Sequence, residues 1–565
     1  ILGGGVMQLP AIDAASQLDL IPLVADGNAH CVARSRDIEF LHVDLIQPVE
    51  IVAAARERMA RSGIKIAGVF TAGTDFSYAT SIVAEALGLP GLPPEVAMAC
   101  TDKSVMRDRL SAAGVPVPRH VPIGSDTVLK SVIEDLGLPL VCKPVDSMGA
   151  RGVRLVRSEA ELEAALKEAR GYSRTVAALA EQYVDGPEYS IDALVWDDEV
   201  IVSGLALRHI CYEPYFVEIG HDICADGRCV PASVVDCFKD AVRALGIRRG
   251  AAKGDVKLGK DGPVIGEIAA RLSGGFMSGW TWPAASGIDL TREAVRISVG
   301  LFPELGQPRR DDCCVERGIV SIPGVMESWI SELHAVLHDD VCTQILEHHS
   351  VMPGQSLSFP RNNVQKCGSI AWKGHELAEA IAACESSVAA QLVRLEADRG
   401  ETDAFLCLHS GPWFWAYAPG TGTIAGFRAT FQSGLESEQH EVSALRTYFS
   451  ECVAQLQSDN IWYLAGAHEG LPNRPDWSYR SFDTSSQQAA RVCGLSLQHT
   501  DVWGHAAALP LLFLYRGGLQ GLVYFFDTLK DRCARYGSEA AVDKLYTWTE
   551  MVGTCAFRYD AHHCS

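Results

Sequence analysis

The stretch GDVKLGKDGPVIGEIAARLSGG, residues 254–275, constrains the fold more than any other part of this 565-residue chain. A turn dipeptide, DG at 261–262, stands midway between two acidic residues, Asp255 and Glu267. Such dipeptides favour β-hairpins, in which cross-strand partners share a constant index sum. A five-residue loop over 259–263 would therefore place the two carboxylates opposite each other, with Cβ atoms ~5 Å apart.

Two like charges in that arrangement repel, so the pattern requires a positive partner between them. Hard oxygen ligands favour Mg²⁺ or Mn²⁺, which also bridge phosphate oxygens. Arg271 follows Glu267 by four residues and can hold a carboxylate or phosphate through two hydrogen bonds. One alternative stays open, in which one acid faces solvent or pairs with a lysine such as Lys257.

The composition indicates a large globular protein, with 48% hydrophobic and 21% charged residues. The formal net charge of −21 repels nucleic acid and anionic lipid, so we expect neither as a partner. No apolar run reaches the ~18 residues of a membrane span, and the first residues lack the basic region of a signal peptide. The 18 cysteines contain no CxxC motif, which favours reduced thiols and a cytoplasmic location.

Pattern changes along the chain predict four domains. Alternating strand and helix signals over residues 1–98, with strands at ILGGGV, LIPLVAD and IKIAGVFTAG, favour a parallel sheet with helices on its faces. The Pro/Gly-rich segment 88–97 marks a boundary, and 99–305 carries the motifs described next. Residues 306–400 predict a smaller mixed lobe, with a helix over ELAEAIAACESSVAAQLV. Residues 401–565 are rich in aromatic side chains and form a separate segment of unknown role.

A lysine and a small-residue loop occur together in VCKPVDSMGARGV. The pattern predicts a strand that carries Lys143, a loop, and a second strand. Gly149 and Gly152 would let backbone N–H groups approach an anion closely, while Ser147 offers a hydroxyl and Arg151 a charge. An ordinary hairpin is the alternative.

Two further segments carry residues that could contact a nucleotide. Lys103 begins a predicted helix that Thr101 or Asp102 would cap, which makes it a second phosphate candidate. In AEQYVDGPEYS, the extended backbone over 181–184 could hydrogen-bond an adenine edge and Glu188 could accept from ribose hydroxyls. An exposed strand and turn would explain that second segment equally well.

The order of these features resembles the ATP-grasp superfamily. The resemblance covers about residues 1–400, and EIAARLSGG is similar to the metal-glutamate and arginine segment of carboxylate–amine (amino-acid) ligases. The segment VMPGQSLSFPRNNVQKCGSIAWKG resembles the closing lobe of carboxylase-like members. The implied fold is a multidomain α/β ATP-grasp fold, with an α/β N-terminal domain, a two-lobed α+β ATP-binding domain and a mixed C-terminal lobe. An additional α+β domain would occupy 401–565.

The resemblance implies a role for each matching position. ATP and Mg²⁺ (or Mn²⁺) would be the cofactors, with Asp255 and Glu267 as the metal ligands. Arg271 and Lys143 would be catalytic, with Arg271 stabilising an acyl phosphate. The residues implied to bind the nucleotide are Lys103, Lys143, Ser147, Gly149, Arg151, Gly152, Glu181, Tyr183, Val184 and Glu188.

The implied activity is an ADP-forming ligase that activates a carboxylate as an acyl phosphate and couples it to an amino acid-like amine. Glu218 and His221 are candidates for the acceptor pocket, and a homodimer is implied by analogy. Many members have Asn where Ala269 stands, so the resemblance implies that this position supplies no ligand to a second metal ion. A carboxylase of the biotin carboxylase or carboxyaminoimidazole ribotide type, and a nucleotide-binding protein with a degenerate site, stay open as alternatives.

Overall fold

The computed structural model describes residues 1–395 except 125, 212–213, 307, 309, 322, 332–340 and 390. The expectations for 401–565 lie outside these described residues. The described chain forms two compact units. The first comprises residues 1–210, 214–316 and 373–377, and the second includes 317–372 and 378–395.

Helices and strands alternate through both units. The helices are α1 (Leu9–Gln17), α2 (Pro48–Ser62), α3 (Ser77–Leu87), α4 (Pro94–Ala99), α5 (Lys103–Ala112), α6 (Leu129–Leu136), α7 (Glu159–Tyr172), α8 (Ala232–Leu245), α9 (Trp282–Ser286), α10 (Leu290–Ser298) and α11 (Leu377–Ala389), with a π-helix at Met277–Thr281. The strands are β1 (Leu23–Asp26), β2 (Glu39–His42), β3 (His120–Ile123), β4 (Leu140–Pro144), β5 (Arg154–Val156), β6 (Ala178–Gln182), β7 (Glu188–Trp196), β8 (Glu199–Cys211), β9 (Val217–Cys224), β10 (Arg249–Gly259), β11 (Gly262–Ala269), β12 (Cys313–Ile319), β13 (Gly324–Ser331), β14 (Thr343–His349), β15 (Ser356–Leu357), β16 (Gly368–Gly374) and β17 (Gln391–Leu395).

The N-terminal segment has the predicted helices but less strand than expected. β1 and β2 pair in parallel, and Leu2 reaches β1 through a single bridge to Ala25. The strand predicted in IKIAGVFTAG is wrong, since that segment forms only an isolated bridge at Ala72. A Cβ at Gly68 would lie 2.2 Å from the carbonyl oxygen of Ser298, so the segment packs closely against the end of α10.

The large sheet of the first unit has one polar and one apolar face. Its strands follow the order β11-β10-β7-β8-β9-β12. Alternate residues of a strand point to opposite faces, so in β7 the residues Tyr189, Ile191 and Ala193 share one face. They join a core with apolar residues of α5 and α8, among them Met106 and Phe238. The polar residues of β7 are thereby directed to the other face.

A second, four-stranded sheet has the order β3-β6-β4-β5, and all its pairs are antiparallel. Residues of α6 and α7 cover one face of this sheet. The predicted strand-loop-strand around Lys143 is confirmed as β4, a loop and β5. Gly152 has φ +70°, and a Cβ there would lie 2.9 Å from the ring of Tyr172, so the loop requires glycine at this position.

The β10–β11 hairpin pairs Asp255 with Glu267, as the sequence predicts. The predicted five-residue loop is wrong, because Gly259 pairs with Gly262 and a two-residue turn connects the strands. A register shift between Asp255 and Val256 accommodates the difference. This bulge keeps the two acids opposite each other while Val256 stays in the core.

The second unit contains a sheet of order β15-β13-β17, together with β14 beside β16. The helix predicted through residue 393 is wrong at its end: α11 ends at Ala389 and the next residues form β17. Val393 pairs with Trp329 of β13, so apolar and β-branched residues that could continue a helix instead form a strand.

No helix among the described residues is both long and apolar enough to span a membrane.

Candidate active site

The charged residues predicted to form the site lie in three places. These are the polar face of the large sheet, the beginning of α5 and the loop after β4. Asp102 caps α5, because its carboxylate accepts from the backbone N–H groups of Ser104 and Val105. The backbone N–H of Lys103 donates to the carbonyl of Val145 at 2.8 Å. The cap and this bond fix the start of α5 against the small-residue loop.

Lys103 connects that loop to the hairpin. Its Nζ donates to the carbonyl oxygen of Ser147 at 2.8 Å and lies 2.9 Å from Oε1 of Glu267. Burial raises the pKa of Glu267, but Lys103, Lys253 and Arg271 outweigh burial and hold that pKa well below its usual range. Burial lowers the pKa of Lys103, and Glu267 more than reverses this. Both side chains are therefore charged at neutral pH.

Asp255 lies between two cations. Its Oδ2 contacts Nζ of Lys253, and its Oδ1 lies 2.9 Å from Nη1 of Arg208. That Oδ1 is buried, yet it accepts no hydrogen bond of regular geometry from any described residue. The site thus presents two facing carboxylates with an unsatisfied oxygen, together with cations that neutralise them.

This donor set fits Mg²⁺ or Mn²⁺. Mg²⁺ is usually held by one or two carboxylates and completes its octahedron with water and substrate phosphate oxygens. Asp255 and Glu267 would supply the carboxylates. Among the described residues, no group of three or more His, Cys, Asp or Glu side chains is arranged as a metal site, so the protein alone does not form a full cage.

Lys143 belongs to a second buried network. Its Nζ pairs with Oε2 of Glu181, whose Oε1 accepts from Nε of Arg107 at 2.7 Å. Arg107 also donates through Nη2 to the carbonyl oxygen of Gly266 at 2.6 Å. This fully buried arginine therefore joins α5, β6 and β11.

The pKa values of Lys143 and Glu181 are both lowered, but for different reasons. Burial lowers the pKa of Lys143 to about 8, and Arg107 adds to that effect, although Glu181 opposes it. Burial raises the pKa of Glu181, but Arg107 and Lys143 outweigh burial and hold it at about 2. The Glu181 side chain is thus occupied inside the protein, and its backbone lies within β6, where it pairs with His120 of β3 and Val141 of β4.

The residues expected to contact adenine lie where β6 leads into β7. Nζ of Lys257 donates to the carbonyl oxygen of Val184 at 2.9 Å and lies 5.2 Å from the ring centroid of Tyr183. Gly186 has φ +135°, and a Cβ there would lie 2.1 Å from the carbonyl oxygen of Leu258. This segment is therefore held against the β10–β11 hairpin.

Arg208 joins three acids on adjacent strands. It contacts Glu188, the predicted ribose ligand, and its Nη2 donates to Oε2 of Glu218 at 2.7 Å. With Asp255 as the third partner, these acids raise the pKa of Arg208 despite burial, which lowers it. The structure therefore brings Glu188 and Glu218 to the same cluster as the hairpin acids.

Arg271 follows β11 in a glycine-containing loop. Its Nη1 donates to the carbonyl oxygen of Leu272 at 3.0 Å, and its buried Nε has no hydrogen-bond acceptor among the described residues. Asp192 fixes this loop, since its Oδ1 accepts from both the backbone N–H and the hydroxyl of Ser273 at 2.9 Å. Burial raises the pKa of Asp192 to about 6, although Ser273 opposes the shift.

The remaining predicted residues have different surroundings. Nε of Arg151 donates to the carbonyl oxygen of Met148 at 3.0 Å, inside the small-residue loop. Gly149 has φ +67°, a conformation that glycine adopts readily. His221 is buried, with Nε2 2.8 Å from the hydroxyl oxygen of Thr281 and Nδ1 3.6 Å from Oε2 of Glu316. These contacts make His221 an internal residue and disfavour its role as an acceptor-site base.

A family model described as an ATP-grasp domain matches residues 100–275. This chain contains an ATP-grasp domain. The match spans α5, the small sheet and the β10–β11 hairpin, and it ends just after Arg271. The resemblance inferred from motif order is confirmed for this part of the chain.

Comparison with solved structures extends the ATP-grasp fold beyond that segment. The L-amino acid ligase from Bacillus licheniformis superposes with a TM-score of 0.58 at 22% identity and covers 70% of this chain and 98% of its own. At this identity the likeness establishes the fold alone. The predicted ATP-grasp fold is therefore confirmed, while the predicted extra domain lies outside the described residues.

Two curated relatives share sequence with this chain. An uncharacterized protein, y4rH, from Sinorhizobium fredii is 30% identical over 298 residues, which are 51% of this chain and 60% of that protein. A D-alanine--D-alanine ligase from a Mycobacterium species is 33% identical over 211 residues, which are 33% of this chain and 55% of the ligase. The chain thus spans less than two thirds of either relative.

Sequence analysis missed several residues of the candidate site, namely Asp192, Arg208, Lys253 and Arg107. The first three lie on the polar face of the large sheet, at strand positions that alternate with core residues. The alternation of polar and apolar residues in EYSIDALVW contains that signal. Arg107 had none, because its partners are fixed only by the tertiary fold.

Proposed function

We propose that this protein is an ADP-forming, Mg²⁺-dependent ligase that uses ATP to activate a carboxylate as an acyl phosphate and couples it to an amino acid-like amine. The observation that carries the proposal is the pairing of Asp255 with Glu267 beside Lys103, at the base of a small-residue loop. Small-molecule carboxylates and amines are the partners that such a site would take.

Binding of the nucleotide would exchange the partners of the charged groups. Lys103 and Lys143 would release their carboxylates and contact phosphate oxygens, and backbone N–H groups of the 147–152 loop would add hydrogen bonds. Asp255 and Glu267 would then hold Mg²⁺, which supplies charge neutralisation to the transferring phosphoryl group. The backbone of 181–184 and the carboxylate of Glu188 would receive the adenosine, with Arg208 retaining its other acids.

The transfer step requires positioning more than covalent chemistry. Arg271 would stabilise the acyl phosphate and the charge that develops when the amine attacks it. The backbone N–H groups of Gly274 and Gly275 would add donors toward the same oxygen. Asp192 would act on this step indirectly, because it fixes Ser273 between Arg271 and those glycines.

The names of two proteins similar to this chain support the amino-acid class. One is a D-alanine--D-alanine ligase and the other an L-amino acid ligase. Both names describe the joining of amino acids, so amino-acid pairs are the first substrates to test.

The test uses the purified full chain with Mg²⁺-ATP and a matrix of amino-acid pairs, with ADP and phosphate release as the readouts. For an active pair, the carboxylate is then supplied with ¹⁸O in both oxygens. Formation of an acyl phosphate predicts transfer of one ¹⁸O into the released phosphate and one labelled oxygen in the product.

The alternatives give different results in the same experiment. Turnover that requires bicarbonate and no amino acid would support a carboxylase instead. Binding of Mg²⁺-ATP without phosphate release across the whole matrix would contradict the ligase proposal and support a degenerate nucleotide-binding site.

A further inference from the structure

Three cysteine sulfur atoms converge at the carboxyl end of β9, and the proposed ligase reaction does not use them. The Sγ atom of Cys224 lies 2.7 Å from that of Cys229 and 3.3 Å from that of Cys313. All three are free thiols. Because a disulfide bond joins sulfur atoms at ~2.05 Å, the Cys224–Cys229 pair needs only a small further approach to form one.

The backbone creates this convergence. Cys224 ends β9, and the chain reverses at Gly227, which has φ +76° and donates its N–H to the carbonyl oxygen of Cys224 at 2.9 Å. Cys229 is thereby returned beside Cys224. The neighbouring strand β12 supplies Cys313, and the N–H of Ala225 donates to the carbonyl oxygen of Asp312 at 3.0 Å.

The three thiols differ in exposure and charge. Cys224 and Cys313 are buried, whereas Cys229 is partly exposed on the loop. Contact with Cys224 lowers the pKa of the Cys229 thiol against the effect of burial, and the same contact raises the pKa of Cys224 to about 12. Nη2 of Arg228 lies 3.2 Å from Sγ of Cys313, which adds a positive charge to the cluster. A partly exposed thiol with a lowered pKa beside a buried thiol is the arrangement of a reactive cysteine and its resolving partner.

We propose that Cys224 and Cys229 form a reversible disulfide and that this site reacts with hydroperoxides. The Cys229 thiolate attacks the distal oxygen of the hydroperoxide, the O–O bond breaks, and the alkoxide leaves and takes a proton as an alcohol. The Cys229 sulfenic acid is then attacked by the sulfur of Cys224. The S–S bond forms, the S–O bond breaks and the hydroxyl leaves with the Cys224 proton as water. Two thiols are oxidised and one hydroperoxide is reduced to alcohol and water.

Geometry selects Cys229 over Cys313 as the partner of Cys224. Cys313 is the more distant of the two sulfur atoms and is buried, so a hydroperoxide reaches it less readily. The proposal does not depend on the ligase activity.

The experiment treats the reduced full chain with a few equivalents of hydrogen peroxide, blocks free thiols with N-ethylmaleimide and digests with trypsin without reduction. Cleavage after Arg228 separates Cys224, in the peptide 209–228, from Cys229, in the peptide 229–239. We expect these peptides to be joined through Cys224 and Cys229, and a thiol reductant to separate them.

Two variants assign the sulfur atoms. Cys229→Ala should reduce the cross-linked fraction of these two peptides at least tenfold. Cys237→Ala is the matched control, because Cys237 lies in the same tryptic peptide as Cys229 and its Sγ lies 3.9 Å from a carbonyl oxygen of Pro263. It should leave the cross-link at the wild-type level.

The wild-type digest decides the proposal even when a variant fails to fold. Absence of a Cys224–Cys229 cross-link at a peroxide dose that oxidises other thiols of the chain would overturn the site. A cross-link of Cys224 to Cys313, found in the peptide 311–317, as the main product would overturn the assignment of the partner.

Discussion

At the scale of single residues, burial makes the ionised form of the Asp192 carboxyl energetically unfavourable. Its side chain is fully buried, Oδ2 has no hydrogen-bond partner among the described residues, and its pKa is raised from 3.8 to about 6. The folded state therefore binds more protons than the unfolded state between these two values. Stability is lost as pH rises through this window, because the carboxylate must ionise in a buried position.

We expect Asp192→Asn to stabilise the protein by about 2–3 kcal/mol at pH 7, because the amide removes the buried charge and still accepts from Ser273. The gain should fall to about half at pH 5, where the folded Asp192 is already protonated. Denaturant titrations at the two pH values measure both quantities. Asp261→Asn, at an exposed turn residue, should change stability by less than ~0.5 kcal/mol. A destabilised Asp192→Asn variant at pH 7 would show that the ionised form is a net stabilising group.

Lys143 provides the second prediction at this scale. With a pKa of about 8, it loses its proton as the solution becomes mildly alkaline, and only the ammonium form attracts phosphate. The kcat/KM for ATP should therefore decline above that pH and be about tenfold below its plateau at pH 9, since this parameter reports groups of the free enzyme.

The variant Lys143→Arg tests the assignment, because a guanidinium stays charged over this range. Its plateau can be lower than that of the wild type, but the alkaline decline should be absent. An unchanged decline in the variant would assign the titration to another group.

At the scale of secondary-structure elements, the contact between the β6–β7 segment and the β10–β11 hairpin determines where the adenine would lie. Gly186→Ala would place a Cβ 2.1 Å from the carbonyl oxygen of Leu258, so the two elements must separate. We expect KM for ATP to rise about tenfold, a loss of about 1.4 kcal/mol of binding, with a smaller change in kcat.

Gly262→Ala is the matched control for this change. Gly262 also has positive φ, at +119°, but a Cβ there has no atom within 4 Å among the described residues. The control therefore carries similar backbone strain without displacing an element, and its KM should stay near the wild-type value. Equal effects of the two substitutions in steady-state kinetics would contradict the positioning argument.

The sequence predicted those elements whose determinants are local. The hairpin register followed from a turn signal and two acids within thirteen residues. The cap on α5 was predicted at Thr101 or Asp102, and Asp102 forms it. The loop length of the hairpin was wrong because a bulge shifts the pairing by one residue, which no local signal indicates.

The contacts of Arg107 show what local patterns cannot provide. Its hydrogen bond to the carbonyl of Gly266 joins positions 159 residues apart. The segment IKIAGVFTAG has a strand-like composition, yet it forms only an isolated bridge at Ala72. Tertiary context decides both cases, and it also decides whether QLVRL continues α11 or forms β17.

At the scale of the whole molecule, the proposed exchange of charged partners would link ligand binding to stability. A ligand that binds only the folded state at 100 times its Kd stabilises that state by about 2.7 kcal/mol. Mg²⁺-ATP should therefore raise the thermal midpoint by several degrees, and ATP with EDTA should raise it less, because Asp255 and Glu267 would then lack their cation.

Glu267→Gln should abolish most of the Mg²⁺-dependent part of this rise, since it removes a metal ligand and leaves Lys103 without its acid. Asp261→Asn, two residues beyond Gly259 in the turn of the same hairpin, should retain the full rise. Differential scanning fluorimetry with and without EDTA measures both. A Glu267→Gln variant with the wild-type Mg²⁺ response would place the cation elsewhere.

The alternation of polar and core residues in β7 limits where insertions and deletions are tolerated in this protein. Along β7, the polar residues Glu188, Ser190 and Asp192 alternate with the core residues Tyr189, Ile191 and Ala193. Insertion or deletion of one residue within β7 would exchange the two sets, so that carboxylates would enter the core and Tyr189 or Ile191 would enter the site. Substitutions within β7 can therefore be tolerated, whereas the number of residues in the strand must stay constant. In an alignment of homologues, insertions and deletions should fall in the flanking turns.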